Sequence, residues 1–115
     1  MQNIMDINLT NYKFYSNKYI IYEENGKGKE YDGYYDILLF EWEYLNGKRN
    51  GKGKEYYYNG ELKFEGGYLN GVRNGKGKEY YCNSKLEFVG QYLNGERNGK
   101  GKEYYDNGGL KFEGE

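Results

Sequence analysis

The chain of 115 residues contains no histidine and no proline, and its only cysteine is Cys82. Without histidine, the usual general base and the commonest metal ligand are both missing. A single cysteine cannot form an internal disulfide, and with no histidine to accompany it neither a zinc site nor a cysteine dyad is available. These absences predict a protein with no catalytic residues, no metal and no cofactor. The missing disulfide favours a cytoplasmic location.

A surplus of charge and a long apolar run are also absent. Lysine plus arginine number 17 and aspartate plus glutamate number 18, so nucleic acid is not predicted as a partner. Residues 1–24 contain no basic segment followed by an apolar stretch of signal-peptide length. The longest apolar run, residues 34–40, is interrupted by Asp36 and is too short to span a bilayer. We therefore expect one cytoplasmic domain, at most peripheral to a membrane or the cytoskeleton.

Aromatic residues and glycine are abundant, and they recur in phase. The chain has 17 tyrosines, 5 phenylalanines, 1 tryptophan and 19 glycines. The heptapeptide NGKGKEY begins at Asn25, Asn50, Asn74 and Asn98, in steps of 25, 24 and 24 residues. A fixed period of this length is typical of a solenoid or an extended repeat sheet. Any core must be aromatic, because aliphatic residues are few.

Alternation with a period of two predicts the strands of each repeat. First strands are predicted over residues 38–44, 62–68, 86–92 and from 110 onward, and second strands over 52–58, 76–82 and 100–105. A loop of the form LNGxRNG, as in residues 69–75, joins the two strands. A short turn such as Asn59-Gly60, with positive φ at both residues, returns the chain. The fold class is therefore all-β, an elongated single antiparallel sheet of tandem β-hairpins with about 24 residues per repeat.

Residues 13–115 are predicted to form the repeat array, preceded by a tail or capping segment over residues 1–12. Regular units begin at residue 38. A degenerate first repeat covers residues 13–37, since Tyr15 and Tyr19 lie one 25-residue step before Phe40 and Tyr44. A segment that is one residue longer between 31 and 37 accounts for that step. An atypical terminal copy is expected of a repeat protein.

The chain resembles MORN-repeat proteins (membrane occupation and recognition nexus), whose pattern is [YF]-x-G-x-[YW]-x-x-G-x-x-x-G-x-G. Residues 64–77 and 88–101 match every fixed position, and 40–53 match except that Trp42 replaces a glycine. The resemblance implies a twisted ribbon of stacked hairpins that serves as a scaffold or adaptor and, in some members, contacts phospholipid. Eight or nine strands would give a rod of about 40 Å. Glu55, Glu79 and Glu103 depart from the pattern, which often has an aromatic there.

The aromatic face is the first candidate binding site. An exposed apolar strip of this kind is typical of a surface that binds a peptide, a helix or a second copy in a homodimer. The edge strand from Leu110 offers a second copy another route. Trp42 either covers the end of the sheet or protrudes into a partner. The predicted site comprises Trp42, Tyr44, Phe64, Tyr68, Phe88 and Tyr92, with the column Tyr57, Tyr81 and Tyr105.

The charged face is the second candidate, and it would bind anionic phospholipid. Its lysines are Lys52, Lys54, Lys76, Lys78, Lys100 and Lys102. The alternative is a solvated face in which Glu41, Glu65, Glu87 and Glu113 offset these lysines. Loop arginines Arg49, Arg73 and Arg97 either cap carbonyls, pair with Glu55, Glu79 and Glu103, or contact an acidic partner. A carbohydrate-binding repeat of the Tyr/Gly-rich type is a third possibility, although such repeats rely on tryptophan and a secretion signal.

Overall fold

The computed structural model describes residues 12–15 and 17–115, and this part of the chain forms one antiparallel sheet of ten strands without any helix. The order of strands in the sheet follows the order along the chain. The predicted fold class is confirmed. The strands are β1 (Tyr12–Tyr15), β2 (Lys18–Tyr22), β3 (Lys27–Asp32), β4 (Leu38–Leu45), β5 (Lys48–Tyr56), β6 (Leu62–Leu69), β7 (Val72–Tyr80), β8 (Leu86–Leu93), β9 (Glu96–Tyr104) and β10 (Leu110–Gly114).

The sheet is an elongated ribbon of 50 × 29 × 23 Å. Its ten strands exceed the eight or nine that were predicted, and the ribbon is correspondingly longer than about 40 Å. The predicted tail or cap over residues 1–12 lies outside the described residues, except for Tyr12, which begins β1. Within the described ranges, no helix is long and apolar enough to cross a membrane.

The tightest turns of the repeats lie where a long loop was predicted. Asn70 and Gly71 both have positive φ, 52° and 90°, which defines a two-residue hairpin between β6 and β7. The register then jumps from the pair Tyr68–Arg73 to the pair Gly66–Gly77, so the rest of the LNGxRNG segment forms a bulge within β7. The predicted loop was wrong, because the second strands begin several residues earlier.

The return turn differs from the predicted geometry as well. In Asn59-Gly60 only the glycine has positive φ, at 90°. The Gly60 amide donates to the Tyr57 carbonyl at 2.9 Å, and the Asn59 side-chain oxygen accepts from the Glu61 amide at 2.9 Å. This pattern is a type I turn followed by a left-handed residue. The asparagine contributes through its side chain and needs no positive φ.

The first repeat is shorter than the alignment predicted. Ile20 pairs with Glu30, just as Phe40 pairs with Glu55, so Ile20 and not Tyr15 occupies the ring position. The predicted register of this repeat was therefore wrong, because the hairpin of β2 and β3 closes in a short turn at residues 23–27. The link between β3 and β4 is one residue longer than later return turns, which confirms the origin of the 25-residue step.

Aromatic side chains and glycines share one side of the sheet, which we call the ring face. Its central cluster consists of Phe64, Tyr68, Phe88 and Tyr92. The Phe64 ring lies against the backbone of Gly77, where an added Cβ would be 2.6 Å from the ring. A ring of this size removes roughly 150–250 Å² from water, so this ladder supplies the core that a single layer otherwise lacks.

Candidate functional site

The ring face is closed, although the sequence predicted an exposed apolar strip. Phe64 is fully buried, and Trp42, Tyr68, Phe88 and Tyr92 each expose 5% or less of their surface. Tyr44 is half-buried, with its hydroxyl enclosed. The predicted exposure of this strip was wrong, because the rings are interior residues. Trp42 does not protrude, and its ring contacts those of Phe40, Tyr44 and Tyr68.

Arginine side chains cover the rings. The Arg73 guanidinium carbon lies 4.1 Å from the centre of the Phe64 ring, and that of Arg97 lies 4.3 Å from Phe88. In the first regular repeat the Arg49 guanidinium carbon lies 3.5 Å from the centre of the Trp42 ring. A planar guanidinium stacks on an aromatic face and remains hydrated at its edges. The sequence signalled these residues only by their recurrence, and this covering role was missed.

Each arginine is held in turn by a carboxylate of the preceding repeat. Arg73 donates to both oxygens of Glu55, at 2.9 Å each, and Tyr68 donates its hydroxyl to the same carboxylate. Burial alone would raise the pKa of Glu55, but the hydrogen bonds from Arg73 and Tyr68 outweigh it and hold the pKa below its ordinary value. The family pattern often has an aromatic residue at this position, and these hydrogen bonds explain why the chain has Glu55 there.

The same arrangement recurs one repeat later, where Arg97 and Tyr92 donate to Glu79. Burial again opposes the charge, yet these bonds leave the pKa of Glu79 lowered. The predicted arginine–glutamate pairing is confirmed for Glu55 and Glu79, and Glu103 also lies 3.8 Å from Arg97. Arg49 instead contacts Glu30 at 3.5 Å.

The tyrosine column joins neighbouring repeats. Tyr57 donates its hydroxyl to the backbone carbonyl of Tyr80, and Tyr81 donates to that of Tyr104, both at 2.6 Å. Tyr105, at the same position of the last described repeat, exposes 51% of its surface. Tyr57 and Tyr81 are therefore connections between units and are not part of a continuous apolar strip.

The opposite side of the sheet, which we call the lysine face, is open and concave. Residues from the turn before β3 to β7 line one groove that encloses about 950 Å³. The backbone of Gly53, Gly66 and Gly77 contributes to its lining. All six predicted lysines are exposed on this face, namely Lys52, Lys54, Lys76, Lys78, Lys100 and Lys102. The structure thus brings them together in two rows.

Carboxylates alternate with the lysines over the first part of this face. Lys54 lies directly opposite Glu41 on one side and Glu65 on the other. The predicted offset by Glu87 was wrong, because Glu87 contacts Arg97 at 3.3 Å. It lies where the register between β7 and β8 shifts. The residue that takes the place of Glu41 and Glu65 in β8 is Val89.

Among the described residues, no group of three or more histidine, cysteine, aspartate or glutamate side chains is arranged to hold a metal ion. Cys82 is free and exposed in a turn. What the arrangement offers is a closed structural face and an open, charged, concave one.

Comparison with known proteins agrees with this architecture. The family model of the MORN repeat matches residues 43–61, 64–85 and 88–110, together more than half of the chain. A search of curated proteins finds none that matches. MORN repeats are generally associated with protein or membrane-lipid interaction. Three matched repeats in register within one open sheet show that this chain belongs to the MORN repeat family.

Proposed function

We propose that this chain is a non-catalytic, cytoplasmic interaction module that holds a protein segment in the groove of its lysine face. One observation carries the proposal. The ring face is filled by the protein's own arginines, whereas the groove of about 950 Å³ is bordered by exposed side chains. Binding is therefore assigned to the side opposite the aromatic one that the sequence favoured.

The shape of the groove favours a rod-like partner. An α-helix with its side chains is about 10–12 Å wide, and a curved sheet can contact it from several sides. A flat bilayer would reach the rims of a concave face and leave the floor at Gly53 and Gly77 untouched. A peptide, a helix or a segment of a second copy all satisfy this requirement.

A photo-crosslinking amino acid tests the proposal. We place it at Lys54, which lines the groove, and for comparison at Lys63, which is exposed beside Tyr57. Defined protein adducts from position 54 and none from 63 are expected, and the adduct identifies the partner, including a second copy. Adducts from position 63 alone would contradict the proposal.

Contact with anionic phospholipid is a second candidate function, because all six lysines are exposed on one face. Its test is co-sedimentation with phosphatidylserine-containing vesicles at low salt. Loss of sedimentation in Lys76→Glu plus Lys78→Glu and at high salt would support it, since attraction to a charged surface is screened by salt. No sedimentation at low salt would exclude it.

A further inference from the structure

A gap in the carboxylates of the lysine face points to where a partner binds and to its chemistry. Along the sheet, Lys29, Lys54, Lys78 and Lys102 are separated by one residue on each intervening strand. That residue is Glu41 in β4, Glu65 in β6 and Val89 in β8. The alternation of charge therefore stops between β7 and β9.

A neighbouring position reinforces the gap. In β4, Glu43 lies opposite Lys27 and accepts a hydrogen bond from the Lys52 amide. Its counterparts are Gly67 in β6, opposite Lys52, and Gln91 in β8, opposite Lys76, and neither carries a charge. Neither residue of β8 that faces the lysines is acidic.

Cross-strand neighbours show the effect of the gap on the lysines beside Val89. Lys54 lies between two carboxylates, Glu41 and Glu65. Lys78 has only Glu65 beside it, and Lys102 has only the exposed Glu113, at 3.7 Å. Each of the two lysines next to Val89 thus has one neighbouring carboxylate in place of two.

Because Val89 stands where the earlier repeats have a glutamate, a tyrosine hydroxyl also loses its side-chain acceptor. Tyr56 donates to Glu41 at 2.5 Å and Tyr80 donates to Glu65 at 2.6 Å. The next tyrosine in this series is Tyr104, and Val89 offers it no acceptor. Tyr104 lines a shallow cavity of about 480 Å³ together with Val89, Lys100 and Lys102, and Glu113 and Glu115 belong to the same lining. The cavity therefore combines cationic donors, a hydroxyl donor and an apolar residue with two carboxylates at its β10 side.

We propose that the surface around Val89 binds an acidic segment of a partner protein, with carboxylates on the lysines and on Tyr104 and an aliphatic side chain on Val89. The inference rests on the proposed protein-binding function and adds the chemistry and the position of the partner. An acidic protein segment is favoured over a membrane because Val89 adds an apolar contact among the cationic and hydroxyl donors, which an aliphatic side chain can make and a charged headgroup cannot.

The experiment restores the missing carboxylates with Val89→Glu plus Gln91→Glu. The probe is a fluorescein-labelled peptide rich in glutamate and leucine, and its control is the same peptide with every glutamate changed to glutamine. Wild type should bind the acidic peptide and not the neutral one. The double variant should weaken binding about tenfold or more while its melting temperature stays equal or rises, since Tyr104 and the lysines gain partners.

Two further variants separate charge from shape. Val89→Gln keeps the site uncharged and should retain most of the binding, whereas Glu65→Val opens a second gap between Lys54 and Lys78 and should strengthen it. Unchanged binding in the double variant, or wild-type binding to phosphatidylserine vesicles but not to the acidic peptide, would overturn the inference. Adducts at position 54 in the crosslinking experiment would still support the proposed function in that case.

Discussion

Ser84 occupies a left-handed backbone conformation that its counterparts in the return turns after β5 and β9 leave to glycine. Its φ is 74°, and the equivalent residues Gly60 and Gly108 have 90° and 95°. A side chain in this left-handed region is strained, and glycine is not. We predict that Ser84→Gly raises the free energy of unfolding by up to about 1 kcal/mol, measured by urea denaturation.

The reverse substitution is the control for this prediction. No atom lies within 4 Å of a Cβ built at Gly60, so Gly60→Ser tests backbone strain without a clash. It should lower the free energy of unfolding by a similar amount. A stabilising effect of Gly60→Ser would show that the turn tolerates a left-handed serine without strain.

The carboxylate of Glu55 makes stability depend on pH. Its pKa is lower in the folded chain than in the unfolded one, so its contribution is complete above the unfolded pKa of about 4.3 and is lost as pH falls through the folded value. Glu55→Gln should lower the free energy of unfolding by about 2 kcal/mol at neutral pH. Unfolding measured from about pH 6 to about pH 3 should then show a shallower fall in stability than wild type.

The exposed Glu96 provides the matched control. Glu96→Gln should leave the neutral-pH stability within about 0.5 kcal/mol of wild type. It should also leave the fall at acid pH unchanged. If Glu55→Gln and Glu96→Gln gave the same pH profile, the buried pair with Arg73 would not be the source of acid sensitivity.

Tyrosines at the ends of the second strands connect one hairpin to the next. Tyr81→Phe removes the hydroxyl that donates to the Tyr104 carbonyl at 2.6 Å. We expect this change to lower the free energy of unfolding by about 1 kcal/mol, because a half-buried carbonyl loses its donor. Tyr105→Phe, at the exposed equivalent position, should change it by less than about 0.5 kcal/mol, and equal effects in chemical denaturation would contradict this role.

The segments that form strands, and the side of the sheet on which each side chain lies, were predictable because both depend only on alternation with a period of two residues. The placement of Phe64 and Gly77 on one face and Lys76 and Lys78 on the other follows from alternation. The positions of the turns were not predictable in the same way, because each unit contains three Asn-Gly or equivalent dipeptides. Only the pairing of Leu69 with Val72 decides which of them forms the two-residue hairpin.

The candidate site was harder to predict than the fold. A count of rings on one face cannot reveal that Arg73 lies over Phe64, since Arg73 was assigned to a long loop and pairs with Tyr68 only because the hairpin closes at Asn70-Gly71. The carboxylate pattern was misread for a related reason. Glu87 lies at the register shift between β7 and β8 and contacts Arg97, whereas Val89 is the residue one 24-residue period after Glu65.

Contacts between strands run mainly from each strand to the next, which makes the array nearly one-dimensional. In such arrays stability is approximately a sum of local terms, and one end can unfold before the other. Phe88→Ala removes a buried ring from β8 and should lower the free energy of unfolding of that region by about 3–5 kcal/mol. The only tryptophan, Trp42 in β4, should report on the other half of the sheet.

We therefore predict that the circular dichroism of Phe88→Ala changes at lower urea concentration than its tryptophan fluorescence. In Phe64→Ala the two transitions should lie closer together, because Phe64 belongs to β6, two strands from Trp42. Coincident transitions in Phe88→Ala, with a midpoint as low as that of Phe64→Ala, would indicate that the ten strands unfold as a single unit.

The pairs Gly66–Gly77 and Gly90–Gly101 have the same register, separated by 24 residues. Duplicating or deleting one such unit by recombination would rejoin strands whose rings, arginines and carboxylates already fit. The groove of the lysine face would then grow or shrink by two strands, about 10 Å. The length of the surface is in this way set by copy number, which a genome can alter in a single event.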